Sequence, residues 1–373
     1  METVKEEITI TAQITRFVRE DILNLVPYMP SNEPCKIKLD ANESPYDVPL
    51  EIKERIWKRL MDEHFNYYYD PTCDEVRENL SKYTGAKFDQ IFVGSGGDEV
   101  IYDIIMAFAG PGRDVIIPFP TFSSYEIFST IAGSNVIKVP LLKKQEKGKC
   151  FWDIPIDDIK QHFTKDKPQL MFLCHPNNPT GDYFDDDKLE DLIRNFNGIV
   201  AIDEAYFEFG GKTFADSISK YPNTIVIRTF SKIFSLAGLR VGYAIGHEDA
   251  IAQLFKVKMP YNVSLFSQIA AVEMLRQTDW LKKVQQEFIK ERERLQNGLE
   301  KIDGVTVYPS SANFFLCELK KPKDVVYEEL LKKGILTRRF GDDVLKDCLR
   351  FCIGTPEQND LLLASLKEIM SSK

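Results

Sequence analysis

Thr224-Ile225-Val226-Ile227-Arg228-Thr229-Phe230-Ser231-Lys232 passes from a β-branched apolar run straight into a short polar turn that ends on a lysine. The run does not alternate apolar with polar residues, which is the pattern of a strand buried on both faces. The same shape recurs upstream. Ile91-Phe92-Val93 precedes Gly94-Ser95-Gly96-Gly97-Asp98-Glu99, and Asp114-Val115-Ile116-Ile117-Pro118 precedes Phe119-Pro120-Thr121-Phe122. Leu170–Cys174 precedes His175-Pro176-Asn177-Asn178-Pro179-Thr180-Gly181, and Gly198–Asp203 precedes Glu204-Ala205-Tyr206. Helical patterns separate several of these runs. Val100, Ile101, Ile104, Ile105 and Phe108 fall on one side of a helix that Gly110 and Pro111 end. Strands alternating with helices predict an α/β fold with a mostly parallel central sheet. Ligands of such sheets collect beyond the carboxyl ends of the strands, where the unusual residues of this chain stand.

Outward from that core the rhythm changes. The stretch 1–46 reads as a short helix and an extended arm with Pro27, Pro30, Pro34 and Pro45. We expect it to pack with a smaller domain. Residues 47–252 form the large ligand-binding domain of this reading, and 253–373 a small α+β domain. The latter opens with a long amphipathic helix carrying Leu281, Val284, Phe288, Leu295 and Leu299 on one face. Four candidate strands follow, and the last helix begins at Thr355-Pro356-Glu357-Gln358, a cap with Pro in the first turn and a reciprocal Gln.

The composition bounds the function. The 373 residues carry a net charge of −9 with no basic block, which argues against nucleic acid as the main partner. The seven cysteines are scattered, with no C-x-x-C pair, and read as free thiols of a reducing compartment. The four histidines form no metal-type pair, so no metal is expected. The acidic start METVKEEITI lacks a signal peptide's apolar segment, and no apolar run approaches the roughly 18 residues of a membrane span. A cytoplasmic enzyme without a membrane anchor is the expectation.

Taken singly, each strand-end residue has an ordinary explanation. The glycines before Asp98 favour a phosphate at a helix start, but a tight turn with Asp98 as its cap serves equally well. Phe122 can stack on a flat ring or simply pack. The prolines and Gly181 explain the turn around Asn178. Asp203 at the end of a buried strand needs a partner, either a cationic ring nitrogen or an Arg or backbone amide of the protein. Lys232 enters the stretch Ile233–Gly246, whose one charge is Arg240. An amine there has its pKa lowered and can form a Schiff base. The order is what informs. Phosphate loop, aromatic plate, Asn, acid, and Lys with Ser and Arg are the set that one pyridoxal 5'-phosphate (PLP) molecule needs.

At these residues the chain resembles the fold-type I PLP-dependent aminotransferases, and within them the histidinol-phosphate branch. The markers are Leu39–Tyr46, Tyr68-Tyr69-Asp70-Pro71, Gly94–Glu99, Pro176–Gly181, Asp203–Tyr206, Ser231-Lys232 with Ala237–Arg240, and Leu349-Arg350 before Ile353-Gly354-Thr355. They span nearly the whole chain. The resemblance implies a PLP-dependent transferase fold in which Lys232 carries the cofactor and shuttles a proton. Asp203 holds the ring nitrogen protonated, while Asn178 and Tyr206 bond the ring oxygen. Phe122 stacks on the ring, and Gly96, Gly97, Asp98, Thr229, Ser231 and Arg240 bind the cofactor phosphate. Tyr68 is implied to reach the site of a second subunit, making a homodimer with shared active sites. Arg350 is implied to grip a substrate anion, with Arg338, Tyr28 and Asn42 completing the substrate pocket. The implied reaction passes an amino group between glutamate/2-oxoglutarate and a phosphorylated amine. The sequence departs from the family pattern at Ser44, Tyr67, Tyr69 and His175, where Asn, Arg, Pro and Asn are usual. Transamination of aromatic amino acids, decarboxylation of threonine phosphate, and a non-catalytic PLP-binding protein are the rival readings.

Overall fold

The computed structural model describes residues 15–27, 31 and 33–372. All five apolar runs are strands of one seven-stranded sheet: β2 (Ile91–Gly94), β3 (Asp114–Phe119), β7 (Gln169–Cys174), β8 (Gly198–Asp203) and β9 (Thr224–Thr229). With β4 (Asn135–Pro140) and β10 (Gly242–Gly246) the order is β2-β10-β9-β8-β7-β3-β4. Neighbours run parallel except β10, which is antiparallel to both β2 and β9. The runs are continuous because helices cover both faces, so successive side chains find apolar company on either side. β7 and β9 are buried at every position. The helix Gly96–Phe108 buries Val100, Ile101, Ile104 and Ile105 against the sheet and stops before Gly110. The hairpin of β5 (Leu142–Glu146) with β6 (Lys149–Asp153) stands apart from both larger sheets.

Arg228 of β9 interrupts the apolar run at 3% exposure. Its guanidinium bonds Glu204 Oε2 through Nε (3.1 Å) and Nη2 (3.0 Å) and lies 3.7 Å from the Phe207 ring centre. A charge in that position is tolerable only when paired in this way.

A second, five-stranded sheet has the order β1-β13-β14-β12-β11: β1 (Ile37–Leu39), β13 (Ile335–Arg339), β14 (Cys348–Cys352), β12 (Phe314–Leu319) and β11 (Val305–Val307). The expected arm before Tyr46 thus contributes β1, which lies parallel to β13. The amphipathic helix Thr278–Leu299 buries Leu281, Val284, Phe288, Leu295 and Leu299. The final helix, Pro356–Ser371, has the expected reciprocal cap, Gln358 N–H to Thr355 Oγ1 at 3.3 Å and Thr355 N–H to Gln358 Oε1 at 3.0 Å. Among the described residues no helix is long and apolar enough to cross a membrane.

Candidate active site

The carboxyl ends of β7, β8 and β9, the start of the Gly96–Phe108 helix and strand β14 converge on one site. At the helix start, Gly96 has φ +84°, and a Cβ there would lie 2.6 Å from Arg240 Nη2. A Cβ on Gly242 would meet the Gly96 carbonyl carbon at 2.4 Å. Gly242 admits only glycine because backbone fills the space of a side chain, and Gly96 because its positive φ strains any other residue. Backbone amides of the helix start stand beside the guanidinium of Arg240, which bonds Asp98 Oδ2 at 2.8 Å. Thr229 Oγ1 and Ser231 Oγ lie 3.0 Å apart on the same side. Amides, two hydroxyls and an arginine are a phosphate's donor set. Asp98 is not the helix cap that the turn reading allowed. Ser95 holds the N-cap position, and the Asp98 carboxylate turns to Arg240 instead.

Asp203 ends β8 at 5% exposure and takes part in no ion pair among the described residues. It accepts from Tyr125 Oη at 2.6 Å and from the Ala205 N–H at 3.0 Å. Burial pushes its pKa up to about 6 against these two bonds. Of the two partners weighed from sequence, the protein supplies the backbone amide and no Arg. Tyr125, fully buried and stacked on Phe172 at 4.6 Å, was not singled out by its sequence context. Phe122 is half-buried beside it, ring centres 5.6 Å apart.

Lys232 is half-buried in the turn after β9, its amine 3.3 Å from the Ala41 carbonyl and 5.7 Å from the Tyr206 ring centre. Burial, and then the nearby Arg350, lower its pKa to about 8, as expected from its setting. Asp203 and Lys232 feel one another's charge. Tyr206 is 4% exposed, and burial raises its hydroxyl above the usual range.

The five-stranded sheet closes the site. Arg350, in the middle of β14, donates to Asn178 Oδ1 at 2.5 Å and to the Asp40 carbonyl at 2.6 Å. Since a guanidinium only donates, Asn178 gives it the oxygen and keeps its NH₂ for the site. Arg338 is the cross-strand partner of Arg350 and shares its face, beside a cavity of about 710 Å³ lined also by Asp40, Thr337 and Phe340. Arg339 lines the same cavity but is engaged by Asp324 (3.3 Å) and Glu328 (3.6 Å). Asn42, 1% exposed, donates from Nδ2 to Tyr206 Oη at 2.9 Å. Tyr68 is 80% exposed and stacks on Tyr261, ring centres 4.3 Å apart. Tyr28 lies outside the described residues. His175, where the family pattern has Asn, is fully buried among Tyr183, Phe184 and Phe214.

The family model for class I and II aminotransferases matches residues 34–366. The histidinol-phosphate aminotransferase of Thermoanaerobacter sp. (strain X514) is 41% identical over 358 residues, 96% of this chain and 99% of that one. The crystal structure of the histidinol-phosphate aminotransferase from Clostridium acetobutylicum superposes with a TM-score of 0.79 at 26% identity, covering 90% of this chain and 99% of that one. The Sinorhizobium meliloti histidinol-phosphate aminotransferase, solved in complex with pyridoxal-5'-phosphate, has the same fold. Its TM-score is 0.83 at 22% identity, covering 95% of this chain and 97% of that one.

Proposed function

Since the chain belongs to the class I and II aminotransferases, we propose that it moves an amino group between glutamate and imidazole-acetol phosphate, yielding 2-oxoglutarate and histidinol phosphate. The observation that carries the reading is Asp203: a buried carboxylate in no ion pair among the described residues, sharing its site with a lysine amine lowered to about 8. Such a carboxylate calls for a cationic ligand, and the amine calls for an aldehyde. Pyridoxal 5'-phosphate answers both, and the donor set around Gly96, Gly97, Thr229, Ser231 and Arg240 suits its phosphate.

When bound, this cofactor supplies the carbonyl carbon that takes up the amino group and a ring that draws electrons from the substrate Cα. The protein's own groups do the rest. Asp203 keeps a proton on the ring nitrogen. Asn178 and Tyr206 donate to the ring oxygen, and Phe122 covers the ring. Lys232, with its pKa near neutrality, takes the proton from the substrate Cα and delivers it to the other side of the transferred bond. Arg350 orients the α-carboxylate of glutamate in one half-reaction and an anion of the second substrate in the other. Its planar fork suits both. Arg338, on the same face, provides the cation for a substrate phosphate, which is the feature that favours a phosphorylated acceptor. Tyr28 and Asn42 complete the pocket in this reading.

We further infer a cytoplasmic homodimer. Tyr68 is exposed apart from its stack on Tyr261, as are Met61, Phe65 and Tyr67 close to it in the chain. Exposed apolar side chains gathered in one segment mark an interaction surface, and a second copy would let Tyr68 reach the neighbouring cofactor phosphate. Residues 1–46, 47–252 and 253–373 serve as arm, cofactor-binding domain and closing domain in this reading.

The test is 2-oxoglutarate release from glutamate with imidazole-acetol phosphate, a phenylalanine-derived keto acid, or no acceptor, alongside carbon dioxide release from threonine phosphate. Sustained release only with imidazole-acetol phosphate is the expected result. Carbon dioxide release, or preference for the aromatic acceptor, overturns the substrate assignment.

A further inference from the structure

We propose that Cys352 is a positioning residue that fixes the direction in which Tyr206 offers its proton. Tyr206 Oη receives the Asn42 Nδ2–H at 2.9 Å. An amide nitrogen has no lone pair to give, so the tyrosine oxygen is the acceptor in that contact and its own proton is left for the site. If the Asn42 amide were turned over, Oδ1 would face the hydroxyl and claim the proton. A ring oxygen would then meet a lone pair instead of a donor.

What selects one orientation lies at the other end of Asn42. The Cys352 Sγ accepts the Asn42 backbone N–H at 3.0 Å and lies 3.2 Å from Asn42 Oδ1. A thiol that accepts from the backbone has one proton left, and the oxygen is where it goes. Turning the amide would set NH₂ against the S–H, donor against donor. Burial raises the thiol pKa to about 11, so the proton stays on sulphur at neutral pH. The backbone of Asn42 is held as well. Its carbonyl accepts from Asn313 Nδ2 at 3.1 Å, and its φ of +54° is a conformation that asparagine adopts readily. The path therefore runs Cys352 S–H to Asn42 Oδ1, Asn42 Nδ2–H to Tyr206 Oη, and Tyr206 O–H into the site.

A parallel case stands two residues away. Arg350 fixes the amide of Asn178 in the same manner, and residues two apart on a strand share a face. β14 thus sets the polarity of both groups that face the ring oxygen, one with a guanidinium and one with a thiol.

The inference rests on the cofactor being held at Lys232, not on which substrate is turned over. Its test uses the full-length, cofactor-loaded protein without substrate. The readouts are the pH midpoint of the visible absorption band and the dissociation constant of pyridoxal 5'-phosphate. A proton donated to the ring oxygen draws charge from the lysine linkage, which then deprotonates at lower pH. Cys352→Ala should raise the midpoint by about 0.5–1 pH unit, the size of one hydrogen bond, and weaken cofactor binding by about 3- to 10-fold. Cys352→Ser keeps a donor and should titrate with the parent. Asn42→Asp tolerates the same backbone, takes the tyrosine proton itself, and should shift the midpoint as far as Tyr206→Phe. A parent-like midpoint in Cys352→Ala overturns the proposal, as does a parent-like midpoint in Asn42→Asp or a Cys352→Ser midpoint that moves as far as that of Cys352→Ala. Should Cys352→Ala fail to fold, Cys352→Ser and Asn42→Asp decide. A parent protein with no lysine-linked band defeats the cofactor reading itself. A parent with the band and inert variants defeats only this inference.

Discussion

Replacing Asp203 by Asn removes one negative charge while keeping the side chain's size; its one oxygen still accepts from the Ala205 N–H (3.0 Å), and its NH₂ turns Tyr125 Oη (2.6 Å) from donor to acceptor. In the proposed cofactor complex that carboxylate would face a cationic ring nitrogen. A unit pair about 4 Å apart at an effective dielectric of about 20 is worth about 4 kcal/mol. Lost from the transition state, this slows turnover by about 1,000-fold. The assay is 2-oxoglutarate release from glutamate, with cofactor occupancy read by absorbance so that lost rate is not mistaken for lost cofactor. In the cofactor-free protein the sign reverses. Burial has raised the Asp203 pKa from 3.8 to about 6, so the folded state holds the proton more tightly than the unfolded chain. Its contribution is fully present below about pH 4 and is lost as pH rises through about 6, a swing of about 3 kcal/mol at 1.36 kcal/mol per unit. Asp203→Asn should therefore raise the melting temperature of cofactor-free protein at pH 8 and leave it nearly unchanged at pH 4. Turnover of the loaded variant within tenfold of the parent, or a cofactor-free variant that melts no higher than the parent at pH 8, would refute the reasoning.

Reconstitution with pyridoxal 5'-phosphate should speed up as pH rises and level off above a midpoint near 8, because only the neutral Lys232 amine attacks the aldehyde; a midpoint near that of an ordinary lysine contradicts the site's electrostatics. Arg338→Gln should raise KM for a phosphate-bearing substrate by about 10- to 100-fold with the glutamate half-reaction unchanged, as expected for a hydrogen bond to a charged group worth about 1.5–3 kcal/mol. Arg339→Gln, which loses the exposed contacts to Asp324 and Glu328 and the packing over the Tyr327 ring, should change it by less than about threefold. Gly96→Ala forces a Cβ to within 2.6 Å of Arg240 Nη2 at a φ of +84°, and should loosen cofactor binding, measured by equilibrium absorbance, by at least about tenfold; parent-like affinity means that the helix start does not hold the phosphate.

What the sequence discloses here depends on how far apart the cooperating residues stand along the chain. The strand ends are legible because apolar runs such as 224–228 and the turns that follow them are local patterns. Lys232 declares itself by position, three residues past the end of β9 and ahead of a nearly uncharged stretch. The fold direction is less legible. β10 reads as one more apolar run, and nothing in Gly242–Gly246 says that it lies antiparallel to both neighbours. Ile37–Leu39 is too short to declare that it extends a sheet formed some 300 residues later. The groups behind the site are hidden for the same reason. Tyr125 meets Asp203 across 78 residues, Asn42 meets Tyr206 across 164, and Cys352 meets Asn42 across 310.

That separation has a physical consequence for how the site is completed. The seven-stranded sheet brings Asp203, Tyr206, Asn178 and Lys232 together, yet two of them owe their orientation to β14 of the other sheet, through Arg350 and through Cys352 by way of Asn42. A displacement of β14 by even one ångström lengthens the 2.5 Å bond to Asn178 and the 3.2 Å contact to Asn42 Oδ1 together, and hydrogen bonds weaken steeply over that range. The proposed grip on the substrate anion and the proposed polarity of the ring-oxygen donors are therefore coupled through one strand. A change that loosens β14 without touching the site, such as truncating the buried Phe351 on its opposite face, should raise the spectroscopic midpoint and KM for glutamate together, whereas independent shifts of the two would show that the strand does not couple them.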